Sequence, residues 1–385
     1  MHEISRRRFT AGMGLTALGA GLGLGGCSKV PDIIKIGVAQ PLTGPLAALG
    51  QDLLNGVNLA VTELNKKGFT VADKQVKLEV VPADDRSDPA AGRAAAQQLL
   101  DAGVVAVIGD LNSGVTLESA PIYAAKNVAQ LIISTNPKIT QLGLNTTFRI
   151  VANDDLQARA MGSFAASQLA VQNYAVLDDG TPYGKGLAAG AAGELEKAKK
   201  HIAVRQSYDE TTVAFADLAA KLKEADVRTI VWVLSDTQAL ALLQELQKIG
   251  YTDVALLGGD MIKTTGMLKG DGIISGVYCT SPVLDVTEFT VGPQFLERYT
   301  STFKKPPAYG GHYTYDAMYV LSQAIQKAQS ADPAKITETL HAINGYAPVT
   351  GTMQWDAKGE QTYGAVGVYE VRRSAWELRM RSDRW

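Results

Sequence analysis

Apolar and polar positions along this chain switch repeatedly between two patterns. Short, nearly continuous apolar runs at 33–39, 76–81, 104–109, 131–134, 174–178, 202–207, 229–234 and 254–258 read as buried strands. Between most of them lie stretches with apolar residues at helical spacing. Over 51–67, Leu54, Val57, Val61 and Leu64 line one face and Gly68 stops the helix. Asp88-Pro89 predicts a helix start with a capping side chain and a proline in the first turn, and Gly103 predicts its end. Further helices are predicted over 294–303, 313–329 and 333–343. Continuous strands alternating with helices give parallel sheets covered on both faces, a doubly wound α/β fold. No fixed period of similar residues recurs, so the alternation is architectural and not a solenoid.

The strands are too many for one comfortable sheet, and a break near 152–154 predicts a second lobe starting there. The stretch 281–289 reads as a return linker, after which the helices rejoin the first lobe. The expected organisation is 33–152 plus about 283–355 as one α/β lobe, and 153–282 plus about 356–385 as the other, in line with roughly two domains for this length. Two lobes joined by several crossings suit hinge closure around a ligand.

The first 26 residues read differently. Ser5-Arg6-Arg7-Arg8-Phe9 is a twin-arginine signal, followed over 10–26 by a glycine-rich, weakly apolar stretch too short to span a bilayer. Leu24-Gly25-Gly26-Cys27 looks like the lipobox of a bacterial lipoprotein, which places a lipid on Cys27 and a short tether over 27–32. The expected mature protein is a lipid-anchored soluble domain outside the cytoplasmic membrane. Removing three arginines and one glutamate with the signal leaves 34 basic and 38 acidic residues, a net charge of −4. That mild acidity, without a basic patch, argues against nucleic acid as a partner. The 46% hydrophobic content is enough for a substantial core and excludes a disordered chain. Cys279 closes an apolar run with no partner for a disulfide, and reads as a buried structural thiol rather than a reactive one.

Enzyme signatures are missing. Gly21-x-Gly23-x-x-Gly26 matches a dinucleotide fingerprint only in letters, because it lies inside the signal with no preceding strand. There is no phosphate-binding loop, no G-x-S-x-G turn and no paired-cysteine metal site. His2, His201, His312 and His341 are scattered and read as surface or packing residues. Asp84-Asp85 and Asp178-Asp179 stand at strand ends and read as loop and cap carboxylates. No catalysis, cofactor or metal is expected.

Ligands of open α/β sheets bind in the loops beyond the carboxyl ends of strands. The pieces in such positions are Gly37-Val38-Ala39-Gln40-Pro41-Leu42-Thr43-Gly44-Pro45, Gly56-x-x-Leu59-Ala60, Asp84-Asp85-x-x-Asp88-Pro89, Val107-Ile108-Gly109 and Tyr183-Gly184-x-Gly186. With Gly351 and Trp355-Asp356-x-x-Gly359, they stand in an order that resembles the type I periplasmic binding proteins of branched-chain amino-acid (leucine/isoleucine/valine) ABC transporters. The resemblance runs from about residue 33 to 369 and implies two lobes, a central cleft and no catalysis. It implies ligand roles for Ser113, at a helix start where backbone N–H groups cradle a carboxylate, and for Thr135, whose hydroxyl and backbone would touch an amino acid. Read alone, Ser113 is equally an ordinary helix cap. The carbonyl of Ile133 would accept from the ammonium. Tyr183 would close over the ligand, and Asp260 falls where amino-acid binders usually carry glutamate. Asp260 read alone is also a cap for the segment that follows.

The chain departs from that pattern at three site positions. Leu49 stands where an aromatic residue is common, Ser235 where a tyrosine is expected, and Asp260 is one methylene short of glutamate. Ser87 and Asn112 replace two cysteines that pair in some relatives. The resemblance therefore implies a monomeric extracytoplasmic solute-binding protein of an ABC importer. It would deliver a branched-chain or other amino acid, or a related carboxylate, to a permease. The alternatives are a non-amino-acid carboxylate or short amide as ligand, a ligand-sensing module, and an exported enzyme.

Overall fold

The computed structural model describes residues 30–384, so the twin-arginine signal and Cys27 lie outside the described residues. The chain opens with strand β1 (Ile33–Gln40), helix α1 (Ala47–Lys67), a small hairpin of β2 (Thr70–Val71) and β3 (Lys74–Gln75), and β4 (Lys77–Asp84). It continues through α2 (Pro89–Asp101), β5 (Ala106–Ile108), α3 (Ser113–Ala124), β6 (Ala129–Ile132) and β7 (Thr147–Arg149). These strands form a parallel sheet in the order β4-β1-β5-β6-β7. The start of α2 is as predicted: Asp88 accepts from the Ala91 N–H, and Pro89 is the first helical residue.

The chain then crosses to a second sheet. Helix α4 (Asp154–Ser167) precedes β8 (Asn173–Asp178), α5 (Pro182–Lys197), β9 (His201–Ser207), α6 (Ala216–Glu224), β10 (Thr229–Val233), α7 (Asp236–Lys248), β11 (Ala255–Gly258) and β12 (Gly276–Ser281). Helices α8 (Gly292–Phe303), α9 (Gly311–Ala328) and α10 (Pro333–Ala342) return to the first sheet, followed by the hairpin β13 (Gly345–Ala347) and β14 (Gly351–Met353). The last strands, β15 (Gly367–Arg372) and β16 (Ala375–Arg381), add to the second sheet, whose order is β16-β15-β12-β11-β10-β8-β9. It is parallel from β9 to β12, and β15 and β16 extend it antiparallel.

The central strands of each sheet are buried on both faces, as continuous apolar strands require. On the first, Ile34, Ile36, Val38, Ile108 and Leu131 pack with α1 and α9, while Ala39, Ala83 and Val107 pack with α2 and Tyr123 of α3. Helices α1 and α9 touch so closely that a Cβ on Gly56 would lie 1.9 Å from the Gly311 carbonyl oxygen. Two faces of the second sheet hold separate clusters, one around Trp232, Leu243 and Cys279, the other around Tyr174, Leu187 and Val231. Cys279 is a buried free thiol in β12. The segment after β14 departs from the expected division at about residue 356. It stays with the first sheet, where Trp355 packs on Phe148 and the Arg149 N–H donates to the Gly359 carbonyl.

Buried carboxyls in the first lobe make its stability depend on pH. Asp110 accepts from the Ser119 hydroxyl at 2.5 Å and Gln130 Nε2 at 3.2 Å, while its Oδ1 has no partner. Burial, and then the charge of Asp85, push its carboxyl well above the usual carboxylate range; Asp85 is raised by burial too. Asp316 is pushed up to about 7 by burial, against the pull of the Thr350 and Val349 bonds. A carboxyl with a raised pKa in the folded state binds its proton more tightly folded than unfolded. Its contribution is complete below about pH 4 and is lost as pH rises through the folded value. Ligand-free protein should therefore be more stable to urea at pH 5 than at pH 8, by on the order of a few kcal/mol. Asp110→Asn should flatten that slope. Equal stability of the wild type at both pH values would contradict this account of the core.

Candidate functional site

Two loops at the carboxyl ends of the first sheet come together. After β5, Asn112 occupies the N-cap position of α3 without a side-chain capping bond, and Ser113 is the first helical residue. After β6, residues 133–136 are all buried. The Asn136 N–H donates to Ser113 Oγ at 3.3 Å, and the Thr116 and Ser134 hydroxyls are 2.8 Å apart. The start of α3 thus lies against the loop carrying Thr135. Such a helix start favours a negative group, through its free N–H groups and its dipole.

The second sheet contributes an acidic pole. Asp260, just beyond β11, is 7% exposed, and three side chains donate to it. Tyr183 from α5 reaches Oδ1 at 2.7 Å, Gln157 from α4 reaches Oδ1 at 3.1 Å, and Tyr309 reaches Oδ2 at 2.8 Å. Tyr309 comes from the loop between α8 and α9 and packs against the first lobe's core, so its bond bridges the lobes. Asp52 of α1 sets that loop by accepting the N–H groups of Tyr309 and Gly311, each at 2.9 Å. Burial, and then the charges of Asp260 and Asp154, hold both phenols well above their ordinary pKa, so they remain donors. A second contact between lobes joins Asn136 Nδ2 to the Pro182 carbonyl at 2.6 Å.

Asp154 belongs to the same cluster, and the sequence reading missed it. It opens α4 after the cap residue Asn153, is 2% exposed, and its N–H donates to the Thr135 carbonyl at 2.9 Å. Neither carboxyl oxygen has a hydrogen bond of acceptable geometry, although the Thr135 hydroxyl is close enough to lower its pKa. Burial, with a smaller push from Asp260, raises this carboxyl to about 8. A buried carboxyl with no partner is costly, and a donor or a positive charge placed beside it would offset that cost. The signal was present: Asp154 and Gln157 lie three apart on one helix and so share a face.

The chain is similar to known proteins over nearly its whole length. The sequence profile described as "Periplasmic binding protein" matches residues 33–375. The chain belongs to the periplasmic binding protein family. A Leu/Ile/Val-binding protein homolog 2 of Brucella abortus is 30% identical over 356 residues, covering 88% of this chain and 91% of that protein. The crystal structure of a leucine-binding protein from Thermotoga maritima superposes with a TM-score of 0.80 at 25% identity, covering 91% of this chain and 100% of that one. A Rhodopseudomonas palustris solute-binding protein in complex with 3,4-dihydroxybenzoic acid shares the fold, with a TM-score of 0.77 at 19% identity, over 90% and 95% of the two chains.

Within this periplasmic binding protein, Ser113, Thr135, Tyr183 and Asp260 converge, joined by Asp154, Gln157 and Tyr309. Ile133 lies in the Thr135 loop with its side chain packed toward Gly310. Leu49 leans on the first lobe's core from the first turn of α1. Ser235 caps α7: its Oγ accepts the Gln238 N–H at 3.3 Å, and the Gln238 side chain answers its backbone N–H. That hydroxyl is engaged locally, in a reciprocal capping box.

Proposed function

We infer that this periplasmic binding protein captures a free α-amino acid between its lobes and hands it to a membrane permease. The observation that carries the reading is Asp154, with both carboxyl oxygens unpartnered beside Asp260 and Thr135. An α-ammonium supplies the missing positive donor. The start of α3, with Ser113 and Thr135, would hold the α-carboxylate. Branched-chain side chains are favoured by the Brucella relative, a Leu/Ile/Val-binding protein homolog, while the departures at Leu49 and Ser235 also suit a different amino acid. The site is read as a carrier without catalysis. Aromatic acids are the second candidate, favoured by the Rhodopseudomonas complex, but such an anion brings no ammonium to answer the Asp260 carboxylate and would meet Asp154 only with its proton on.

Thermal-shift screening against amino acids, aliphatic acids and benzoates tests the reading. A true ligand at 100-fold excess over its Kd adds about 2.7 kcal/mol of stability. Stabilisation by benzoates and by no amino acid would reverse the assignment. Ser113→Ala and Thr135→Ala should each weaken amino-acid binding by about 1.5–3 kcal/mol, the usual worth of a hydrogen bond to a charged group, without unfolding the protein. Unaltered affinity by calorimetry in both would remove these residues from the site.

Membership of this family implies an extracytoplasmic location, and the lipobox adds an anchor at Cys27 after export by the twin-arginine route. Cys27→Ser should free the protein from membranes as a folded, soluble species, and Arg6→Lys with Arg7→Lys should stop export. A Cys27→Ser variant still in the membrane fraction after a high-salt wash would count against the anchor.

A further inference from the structure

Three consecutive carbonyls in the Thr135 loop are held by residues at or beside the points where the chain passes between sheets. The Asp154 N–H holds that of Thr135. Arg149, the last residue of β7, holds the two on either side: Nη1 donates to the Ser134 carbonyl, and Nη2 donates to the Asn136 carbonyl at 3.0 Å. The Arg149 side chain is completely buried. Its remaining edge forks onto Glu360, with Nε to Oε2 at 3.0 Å and Nη2 to Oε1 at 3.1 Å, and the Thr140 hydroxyl donates to the same carboxylate. Glu360 lies in the segment between β14 and β15, the last to pass from the first sheet to the second. That segment is fastened to β7 by two more bonds, from the Arg149 N–H to the Gly359 carbonyl at 2.9 Å and from Trp355 Nε1 to the Arg149 carbonyl at 2.6 Å.

The geometry points to Arg149 and Glu360 as positioning residues that tie the shape of the Thr135 loop to this last crossing, so that ligand affinity depends on an ion pair that touches no ligand. The inference rests on Thr135 and Ser113 being ligand contacts. A buried ion pair is poor evidence of added stability, because desolvation offsets its attraction, so the pair needs another reason to be there. The planar guanidinium supplies one: it meets two carbonyls and a carboxylate at fixed angles, which a lysine ammonium cannot do. The Asn136 N–H also reaches Ser113 Oγ, so a shift of this loop displaces both hydroxyls of the carboxylate pole together. The Glu360 end of the last crossing is fixed to β7, so the guanidinium holds the loop in register with the start of that crossing.

Two variants test this without removing a ligand contact. Glu360→Gln keeps the size of the side chain and one acceptor, while Arg149→Lys keeps the charge and loses the fork. Hydrogen–deuterium exchange of the ligand-free proteins reads the loop without any ligand. The amides of Ser134, which donates to the Asp110 carbonyl, and of Asn136 should exchange tenfold or more faster in both variants. Amides of β1, β4 and the second sheet should keep their rates. Affinity for L-leucine should fall tenfold or more in both. Unchanged exchange at 134 and 136, acceleration spread evenly over the first lobe, or local loosening with full leucine affinity would each overturn the inference. If the wild type binds no L-leucine, the branched-chain reading has failed, the affinity arm moves to the amino acid that stabilises the protein most, and the exchange comparison still decides whether the pair shapes the loop.

Discussion

Asp260→Asn should weaken amino-acid binding by about 2–5 kcal/mol, roughly thirtyfold to a few thousandfold. The carboxylate is nearly buried and accepts from Tyr183, Gln157 and Tyr309, so its surroundings are built for a negative acceptor. Asparagine keeps the shape but offers one acceptor oxygen where Asp260 has two, and turns an N–H toward a donor. It also removes the counter-charge from a desolvated ammonium, which is where most of the loss arises. The Tyr309 bond crosses between lobes, so part of the loss should appear as a faster off-rate from a cleft that closes less firmly. Circular dichroism should be unaltered. For a ligand without an amino group the same substitution would be neutral or favourable, since it removes a negative charge near an anion.

Asp154 should make binding depend on pH in a direction that identifies its partner. In the ligand-free protein burial raises its carboxyl to about 8, so it carries its proton at neutral pH. An ammonium docking beside it favours the ionised form and lowers the pKa, and binding then releases a proton. Affinity should rise with pH towards 8, by up to tenfold per unit, and calorimetry in buffers of different ionisation enthalpy should register the release. Asp154→Asn should abolish the slope and lower affinity at pH 8 by on the order of tenfold or more, while changing it less at pH 6, where the native carboxyl is itself neutral. A slope of opposite sign, with proton uptake on binding, would mean that an anion sits beside Asp154.

The architecture was legible because its strands are buried on both faces and its helices are punctuated by caps, prolines and glycines. The misses have local causes. Strand β6 was expected over 131–134 and runs over Ala129–Ile132, because Gln130 looks like a loop residue; it is buried and donates to Asp110. Strands β15 and β16 were not expected, since Glu370, Arg372, Glu377, Arg379 and Arg381 interrupt their apolar pattern at the sheet edge. Ser235 sits in an S-x-x-Q capping spacing, and that local bond uses its hydroxyl. In the candidate site, the family resemblance together with strand-end position flagged Ser113, Thr135 and Asp260, which read alone are loop and cap residues. Tyr309 was invisible because it reaches Asp260 through a loop pinned by Asp52, more than 250 residues earlier in the chain. Asp154 falls at the boundary between lobes, and its lack of partners cannot be read from letters.

The central claim is that the ligand presents an ammonium to Asp154 and Asp260 and a carboxylate to the loops of the first lobe. Titration calorimetry of L-leucine and of its deaminated analogue, 4-methylpentanoate, into the wild-type protein at pH 8 tests it most directly. The account predicts tight binding of leucine with proton release, and binding of 4-methylpentanoate weaker by a hundredfold or more. Equal affinity for the two, or tighter binding of the deaminated acid, would contradict it.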